Sequence, residues 1–131
     1  PIPYQGHYSA VKAATLMMMK ALAMELKPWN IQCCSVLPGD TKTNFTAARI
    51  YVQKADQNSV YFHKMNTAVG KMEKDEQNGM PAEAVAKQIV CQALAGKMKT
   101  IVIPGVQYKI FSWLGNILPA KWIIGIVGKM Y

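Results

Sequence analysis

The sequence is poor in cysteine and in acidic side chains, and it contains no long apolar run. Its three cysteines, two of them adjacent at Cys33 and Cys34, do not make a disulfide framework, so we expect a reducing compartment. No stretch approaches the roughly 20 continuous apolar residues that span a bilayer. No run of like charge exceeds two residues, which argues against a nucleic-acid-binding arm. A cytoplasmic protein without metal or nucleic-acid ligands is therefore predicted.

The composition is that of a globular domain. Of the 131 residues, 51% are apolar and 17% are charged, which excludes a disordered chain. Fifteen basic side chains against seven acidic ones leave a net charge of +8, a surplus that would suit phosphate or an anionic membrane surface. A basic membrane-surface domain is therefore one alternative. The chain opens at Pro1 without an initiator methionine, so we expect that its beginning is missing.

The order of helices and strands predicts an α/β fold. Residues 8–27 are rich in Ala and Met and contain no Gly or Pro, which predicts a helix that is apolar, and so buried, on every side against a sheet and another subunit. Residues 31–37 and 100–103 predict two buried parallel strands, each closed by Pro-Gly. Two strands do not make a stable sheet. We therefore expect residues 1–131 to be the C-terminal part of a single doubly wound, Rossmann-like domain.

Two further segments differ in character from these elements. Residues 44–79 are polar and lack sustained periodicity, which predicts an active-site flap with short helices. Residues 106–131 predict two apolar helical stretches, broken at Pro119. The tryptophans and lysines of this tail would suit a helix lying on a membrane surface, a lid over an apolar substrate or a subunit contact, and the sequence leaves these three alternatives open.

One pair of residues suggests proton transfer. Tyr8 and Lys12 are four residues apart near the start of the first predicted helix, which puts the phenol and the ammonium on one face. A nearby ammonium favours the phenolate, so it lowers a tyrosine pKa from its reference of roughly 10. A tyrosine tuned in this way can exchange a proton with a carbonyl or an alcohol oxygen.

The context of this pair resembles the short-chain dehydrogenase/reductase family. That family carries Tyr-x-x-x-Lys on one helix and Pro-Gly-x-x-x-Thr after the next strand. This sequence has Tyr8-Ser-Ala-Val-Lys12 and Pro38-Gly-Asp-Thr-Lys-Thr43 at a matching separation. The resemblance covers the whole chain, and it is tightest over residues 3–46. It implies an NAD(P)-dependent oxidoreductase that moves a hydride between nicotinamide and a carbonyl or secondary alcohol.

The resemblance also implies the roles of individual residues. Tyr8 would be the general acid and base, with Lys12 assisting it and binding the nicotinamide ribose. The backbone of the Pro-Gly turn would lie close to the nicotinamide ring, and the backbone of Thr41 would meet the carboxamide. The hydroxyl of Thr43 would meet the carboxamide or the pyrophosphate. The cofactor would be NAD or NADP, with NADP slightly favoured, and its predicted ligands are Tyr8, Lys12, Pro38, Gly39, Thr41 and Thr43.

Some parts of the family pattern are absent from these residues. The glycine-rich phosphate loop and the catalytic serine would precede Pro1, so we expect the 131 residues alone to be inactive. The complete protein would act on a small, apolar carbonyl or alcohol as a homodimer or homotetramer. A non-catalytic binding module that keeps only the fold is the other alternative to an enzyme.

Overall fold

The computed structural model describes residues 1–52 and 55–131. In this part of the chain, α-helices alternate with short parallel strands, so the predicted α/β organisation is confirmed. The helices are α1 Gly6–Glu25, α2 Phe62–Gln77, α3 Ala82–Ala93, α4 Val106–Ile117 and α5 Ala120–Met130. The strands are β1 Ser35–Val36, β2 Thr41–Lys42, β3 Met80–Pro81 and β4 Ile101–Val102.

The strands form two small parallel sheets. Strand β1 pairs with β4, with Ser35 opposite Ile101, and β2 pairs with β3, with Thr41 opposite Met80. The predicted strand over residues 31–37 is therefore too long, since its first four residues pair with no strand among the described residues. Both residues of β1 are only half-buried, because no further strand lies beside this two-stranded sheet in the described part of the chain.

The buried core is centred on α2. Its Ala68, Val69 and Met72 are buried, together with Val102 of β4. These three α2 positions lie on one helix face, which holds the helix against the rest of the chain. The active-site flap with short helices over residues 44–79 stays a prediction, but the expected helix length is wrong for α2, which has 16 residues. Residues 53 and 54 of the predicted flap lie outside the described residues.

Helix α1 is exposed in this single chain, so the expected cover by the sheet is absent, and cover by another subunit stays a prediction. It contains no buried residue, and Met17, Met18 and Met24 are 55%, 56% and 72% exposed. A sheet with two residues in each strand is too small to cover a helix of 20 residues. The helix ends before the 3₁₀ turn Lys27–Trp29.

The predicted break in the tail is present. Helix α4 ends at Ile117, and α5 begins after Pro119. Both helices expose apolar side chains, including Trp113 and Trp122. Within residues 1–52 and 55–131, no helix combines the length and the apolar character needed to cross a membrane.

Candidate active site

The first two turns of α1 carry the predicted tyrosine and lysine. Tyr4 takes a left-handed backbone conformation (φ 61°), and the N–H of Ile2 donates to Ser9 Oγ at 3.2 Å, so the preceding chain folds back onto the first of these turns. Lys12 Nζ lies 5.3 Å from the centroid of the Tyr8 ring, within the range of a cation–π contact. The two side chains therefore face each other along the helix.

The hydroxyl of Tyr8 and the ammonium of Lys12 can both contact a ligand. Tyr8 is 38% exposed, and its hydroxyl makes no hydrogen bond to any residue that the structure describes. The Lys12 ammonium forms no ion pair with a described carboxylate. The ring of Phe45 lies beside Tyr8, with the two centroids 6.4 Å apart. A bound molecule could therefore take up the hydrogen bonds of both groups.

The Pro-Gly loop after β1 is held from two directions. Within the loop, Thr41 Oγ1 donates to the carbonyl oxygen of Gly39 at 2.9 Å. From outside, the N–H of Met80 donates to the carbonyl oxygen of Asp40 at 2.8 Å. A Cβ atom at Gly79 would come within 2.3 Å of the Asp40 backbone, so only glycine permits this approach. The β2–β3 pairing thus fixes the loop beside the start of α3.

Tyr108 of α4 packs against the same loop. A Cβ atom at Gly39 would come within 2.1 Å of the Tyr108 ring, so the bare backbone there receives this ring. The N–H of Asp40 donates to Tyr108 Oη at 3.1 Å, and Tyr108 Oη donates to Asp40 Oδ2 at 3.2 Å. Burial, and then the negative charge of Asp40, raises the pKa of the Tyr108 phenol. Gly105, with a φ of 84°, turns the chain into α4 beside the ring.

One cavity of about 620 Å³ brings the two sequence motifs together. We call it the motif cavity, because its lining includes all the predicted site residues: Tyr8, Lys12, Pro38, Gly39, Thr41 and Thr43. Its volume is within the range that small molecules and cofactors occupy in proteins. The wall from α1 supplies a phenol and an ammonium, and the wall from the loop supplies backbone groups and hydroxyls. Such a lining can hold a planar polar group and exchange a proton with it.

Other side chains in the motif cavity were not predicted from the sequence. Lys12 is the only cation among the described lining residues. Burial, followed by the charges of Asp40 and Asp75, raises the pKa of the Tyr131 phenol. No local pattern marks these residues, because they come from four separate segments of the chain. The unpredicted polar lining residues include Asp40, Asp75, Glu76, Tyr108 and Tyr131.

A second cavity, of about 440 Å³, adjoins the first at Tyr8. Gln5, Tyr8 and Phe45 line both cavities. We call the second one the apolar cavity, because most of its other lining side chains are aliphatic or aromatic. They are Tyr4, Ala48, Ile50, Tyr51, Val52, Ala55, Met65 and Val69, with His7 and Arg49 as the remaining polar members.

Arg49 is held by carboxylates from α2. Its Nη2 lies 2.9 Å from Glu76 Oε1, and its Nε lies 3.8 Å from Glu73 Oε1. Thr46 Oγ1 donates to the other oxygen of Glu76, and Tyr51 Oη donates to Glu73 Oε1 at 3.2 Å. Burial, and then the charge of Glu73, raises the pKa of the Tyr51 phenol. This cluster ties residues 46–51 to α2.

Comparisons with known proteins agree with the motifs. The family model for short chain dehydrogenases matches residues 1–53. The probable short-chain type dehydrogenase/reductase VdlC of Helicobacter pylori is 33% identical over 119 residues, which are 91% of this chain and 44% of that protein. A 3-ketodihydrosphingosine reductase of Bacteroides thetaiotaomicron is 39% identical over 119 residues, which are 86% of this chain and 44% of the relative.

A more distant relative carries a cofactor in its name. The NADPH-dependent 1-acyldihydroxyacetone phosphate reductase of Saccharomyces cerevisiae is 27% identical over 122 residues, which are 93% of this chain and 40% of the relative. No solved structure matches the chain significantly. The chain thus spans less than half the length of these curated relatives.

Proposed function

Because this chain belongs to the short-chain dehydrogenase/reductase family, we propose that it carries the proton-transfer side of an NAD(P)-dependent oxidoreductase site. The reaction is hydride transfer between nicotinamide and a carbonyl compound or a secondary alcohol. The observation that carries the proposal is the motif cavity. Its wall combines Tyr8 and Lys12 of α1 with five residues of the following loop: Pro38, Gly39, Asp40, Thr41 and Thr43.

Tyr8 is the residue that moves the proton in this proposal. During reduction, Tyr8 Oη donates its proton to the carbonyl oxygen as negative charge develops there, and during oxidation it accepts the hydroxyl proton. Lys12 Nζ, 5.3 Å from the ring centroid, puts a positive charge where a phenolate forms. The open hydrogen-bonding position of the Tyr8 hydroxyl supports this role, because a substrate oxygen can occupy it.

The residues present fit the nicotinamide end of a dinucleotide. Lys12 Nζ would donate to the ribose hydroxyls, and the backbone of the Pro-Gly turn and of Thr41 would meet the carboxamide. Thr43 Oγ1 accepts a hydrogen bond from the N–H of Phe45 at 3.2 Å, which leaves its own proton to donate. A bound reduced nicotinamide supplies the hydride. We favour NADP slightly over NAD, which the NADPH-dependent yeast relative supports.

The rest of the dinucleotide site is proposed to lie outside these 131 residues. The sequence has no glycine-rich phosphate loop, and the relatives are more than twice as long as the matched part. We therefore assign residues 1–131 to the C-terminal part of one nucleotide-binding domain. The exposed methionines of α1 support burial of that helix in the complete protein, against the rest of the domain and against a second copy in a cytoplasmic homodimer or homotetramer.

The substrate is proposed to be a small, apolar ketone or secondary alcohol. The apolar cavity beside Tyr8 supports this choice, since a reacting carbonyl must lie within hydrogen-bonding distance of Tyr8 Oη. The test is an assay of the full-length protein with NADPH or NADH and a panel of apolar ketones, in which loss of the reduced cofactor is followed by absorbance. We expect turnover of at least one ketone. Cofactor binding without turnover of any ketone or alcohol would instead support a non-catalytic module.

A further inference from the structure

The apolar cavity meets the motif cavity at Tyr8. Its shared residues Gln5, Tyr8 and Phe45 form the boundary between the two spaces. If the nicotinamide lies against the loop residues 38–43, a carbonyl that takes the proton of Tyr8 lies at this boundary. The part of the substrate attached to that carbonyl can then extend into the apolar cavity.

The lining of this cavity favours an aliphatic group. Ile50 and Val52, on the chain segment that follows Phe45, are 94% and 72% exposed. Met65 and Val69 of α2 add a more buried aliphatic wall. Covering this surface with an apolar chain is favourable by about 25 cal/mol for each Å² removed from water. A polar group there would give up its hydration, while the Arg49 guanidinium and the Tyr51 hydroxyl of the lining are already engaged by carboxylates of α2.

The charge of Arg49 is already balanced. This is the only arginine of the sequence, and its side chain is 12% exposed. Two carboxylates of α2, those of Glu73 and Glu76, face its guanidinium group at 3.8 and 2.9 Å. Neither glutamate is among the residues that line the apolar cavity. An anionic substrate group in this cavity would therefore compete with two fixed carboxylates for one cation.

From these observations we infer that the apolar cavity binds an uncharged aliphatic chain attached to the substrate carbonyl, and that the Arg49–Glu73–Glu76 cluster discriminates against substrates with an anionic group in that position. This inference rests on the proposed function, because the catalytic role of Tyr8 sets where the carbonyl lies. It assigns the class of substrate and the side chains that select it.

The first experiment measures the dependence on chain length in the full-length protein. For methyl ketones from butanone to octanone, we expect kcat/KM to rise about threefold to fourfold for each added methylene, the gain typical of burying one such group. Ala48→Trp places a large ring in the cavity and should reduce the octanone-to-butanone ratio of kcat/KM at least tenfold. Ala47→Trp is the matched control, since Ala47 does not line the cavity. A flat chain-length profile in the wild type would overturn the inference.

The second experiment tests the selection against charge. The wild type should use octanone at least about tenfold better than the oxo-octanoate of equal length. Glu76→Gln leaves Arg49 with one carboxylate, and it should increase the relative kcat/KM for the anionic ketone at least fivefold. Adding Arg49→Met to this variant should abolish the increase. Equal use of the two ketones by the wild type would overturn the inference, whether or not the variants fold.

A binding measurement separates this inference from the proposed function. Octanone is titrated calorimetrically into the full-length wild type, Ala48→Trp and Ala47→Trp. If octanone binds and only Ala48→Trp weakens it, but no ketone is reduced, the cavity assignment stands and the proposed reaction is wrong. If butanone is reduced but octanone neither binds nor reacts better, the reaction stands and the cavity assignment is wrong.

Discussion

Tyr8 lines both cavities and faces Lys12, the only cation among the described residues that line the motif cavity. A phenol in this position can reach a ligand on either side without moving its backbone. Lys12 and Phe45 are its neighbours in space, one from the same helix and one from the loop region. The proposed chemistry therefore depends on a few side chains whose substitution has separable effects.

Replacing Tyr8 with phenylalanine should remove turnover and leave cofactor binding nearly intact. Tyr8→Phe keeps the ring beside Phe45 but deletes the proposed proton donor. Because a positioned acid or base contributes typically 10²–10⁴-fold, kcat should fall at least ~10²-fold. Tyr61→Phe is the control, since Tyr61 is 63% exposed and lines neither cavity. Steady-state kinetics of the full-length protein measure kcat for the two variants. If Tyr8→Phe kept more than about a tenth of wild-type turnover, the assignment of Tyr8 as the proton donor would be refuted.

Lys12→Met should weaken cofactor binding, unlike Tyr8→Phe. The variant keeps an unbranched side chain in α1 but loses the ammonium that we place on the ribose hydroxyls. One lost hydrogen bond from a charged donor corresponds to about 1.5–3 kcal/mol, so the dissociation constant should rise ~10- to 100-fold. Lys20→Met, two turns further along α1 and away from the motif cavity, should leave it unchanged. Calorimetric titration of the full-length protein checks this, and equal affinities of the two variants would exclude the ribose contact.

Tyr108→Phe should destabilise the Pro-Gly loop in a pH-dependent way. The variant keeps the ring against Gly39 but loses the hydrogen bonds with Asp40, which should lower the free energy of unfolding by about 1 kcal/mol at neutral pH. Because the folded-state pKa of the phenol is raised, its contribution is present below about pH 10 and is lost as the pH rises through that raised pKa.

Denaturant titrations of wild type and Tyr108→Phe between neutral and alkaline pH measure this difference. The gap between the two proteins should narrow above about pH 10. Tyr8→Phe is a suitable control for stability, because the Tyr8 hydroxyl has no hydrogen-bond partner in the described part of the chain. A gap that stays constant with pH would show that the Tyr108 phenol does not stabilise the fold through its proton.

Helix α2 links the core to the segment that precedes it. One face buries Ala68, Val69 and Met72, while the glutamates near its C-terminal end hold Arg49 and its neighbours. The described residues of the predicted flap therefore include a packed helix and a separate segment, residues 44–52, which is attached to the helix by side-chain hydrogen bonds. Exchange of backbone amides should differ between these two parts.

Arg49→Met should detach residues 44–52 from α2 without unfolding α2. Loss of the charged hydrogen bond to Glu76 at 2.9 Å should lower the free energy of unfolding by about 1–3 kcal/mol. Hydrogen exchange followed by mass spectrometry should show faster exchange in peptides covering 44–52 and unchanged protection in α2. Arg49→Lys, which keeps the charge, should show a smaller effect. Faster exchange throughout α2 would contradict this division.

The described part of the chain has a small buried core for its length. Only five of the described residues are buried, namely Ala68, Val69, Met72, Val102 and Pro104, and each sheet has two strands of two residues. Large apolar side chains on α1, α4 and α5 face solvent. The motif cavity, which we propose to be one wall of a dinucleotide site, has a single cation in its described lining.

The 131 residues alone should bind neither NADH nor NADPH measurably. The motif cavity offers contacts for the nicotinamide end, but the sequence has no glycine-rich turn to hold the phosphates, which provides much of the affinity for a dinucleotide. Calorimetry and nicotinamide fluorescence at micromolar concentrations should detect no binding to the 131-residue chain, and binding to the full-length protein. Micromolar affinity of the 131 residues for NADH or NADPH would refute the proposal that the phosphate-binding part of the site lies outside them.

Local interactions explain what was predictable from the sequence. The four-residue separation of Tyr8 and Lys12 puts them on one face of any α-helix, and Pro119 must interrupt the tail helices because proline cannot continue a helical ladder. The Pro-Gly turns likewise end the strands. These features depend on neighbours within one or two helical turns, and the structure contains them.

Contacts between residues far apart in the sequence determined the features that could not be predicted from it. The contact of Tyr108 with Asp40 joins residues 68 positions apart, and that of Arg49 with Glu76 joins residues 27 positions apart. No periodicity marks such pairs, because each residue also suits an exposed position on its own helix or loop. Burial of α1 could not be predicted either. The composition of this helix predicts that it is buried, but the size of the sheet beside it determines whether it is covered. The sequence by itself therefore determined the two motifs and the elements that carry them. Tertiary packing determined the cavity in which they meet, since its walls come from segments that approach one another only in the folded chain.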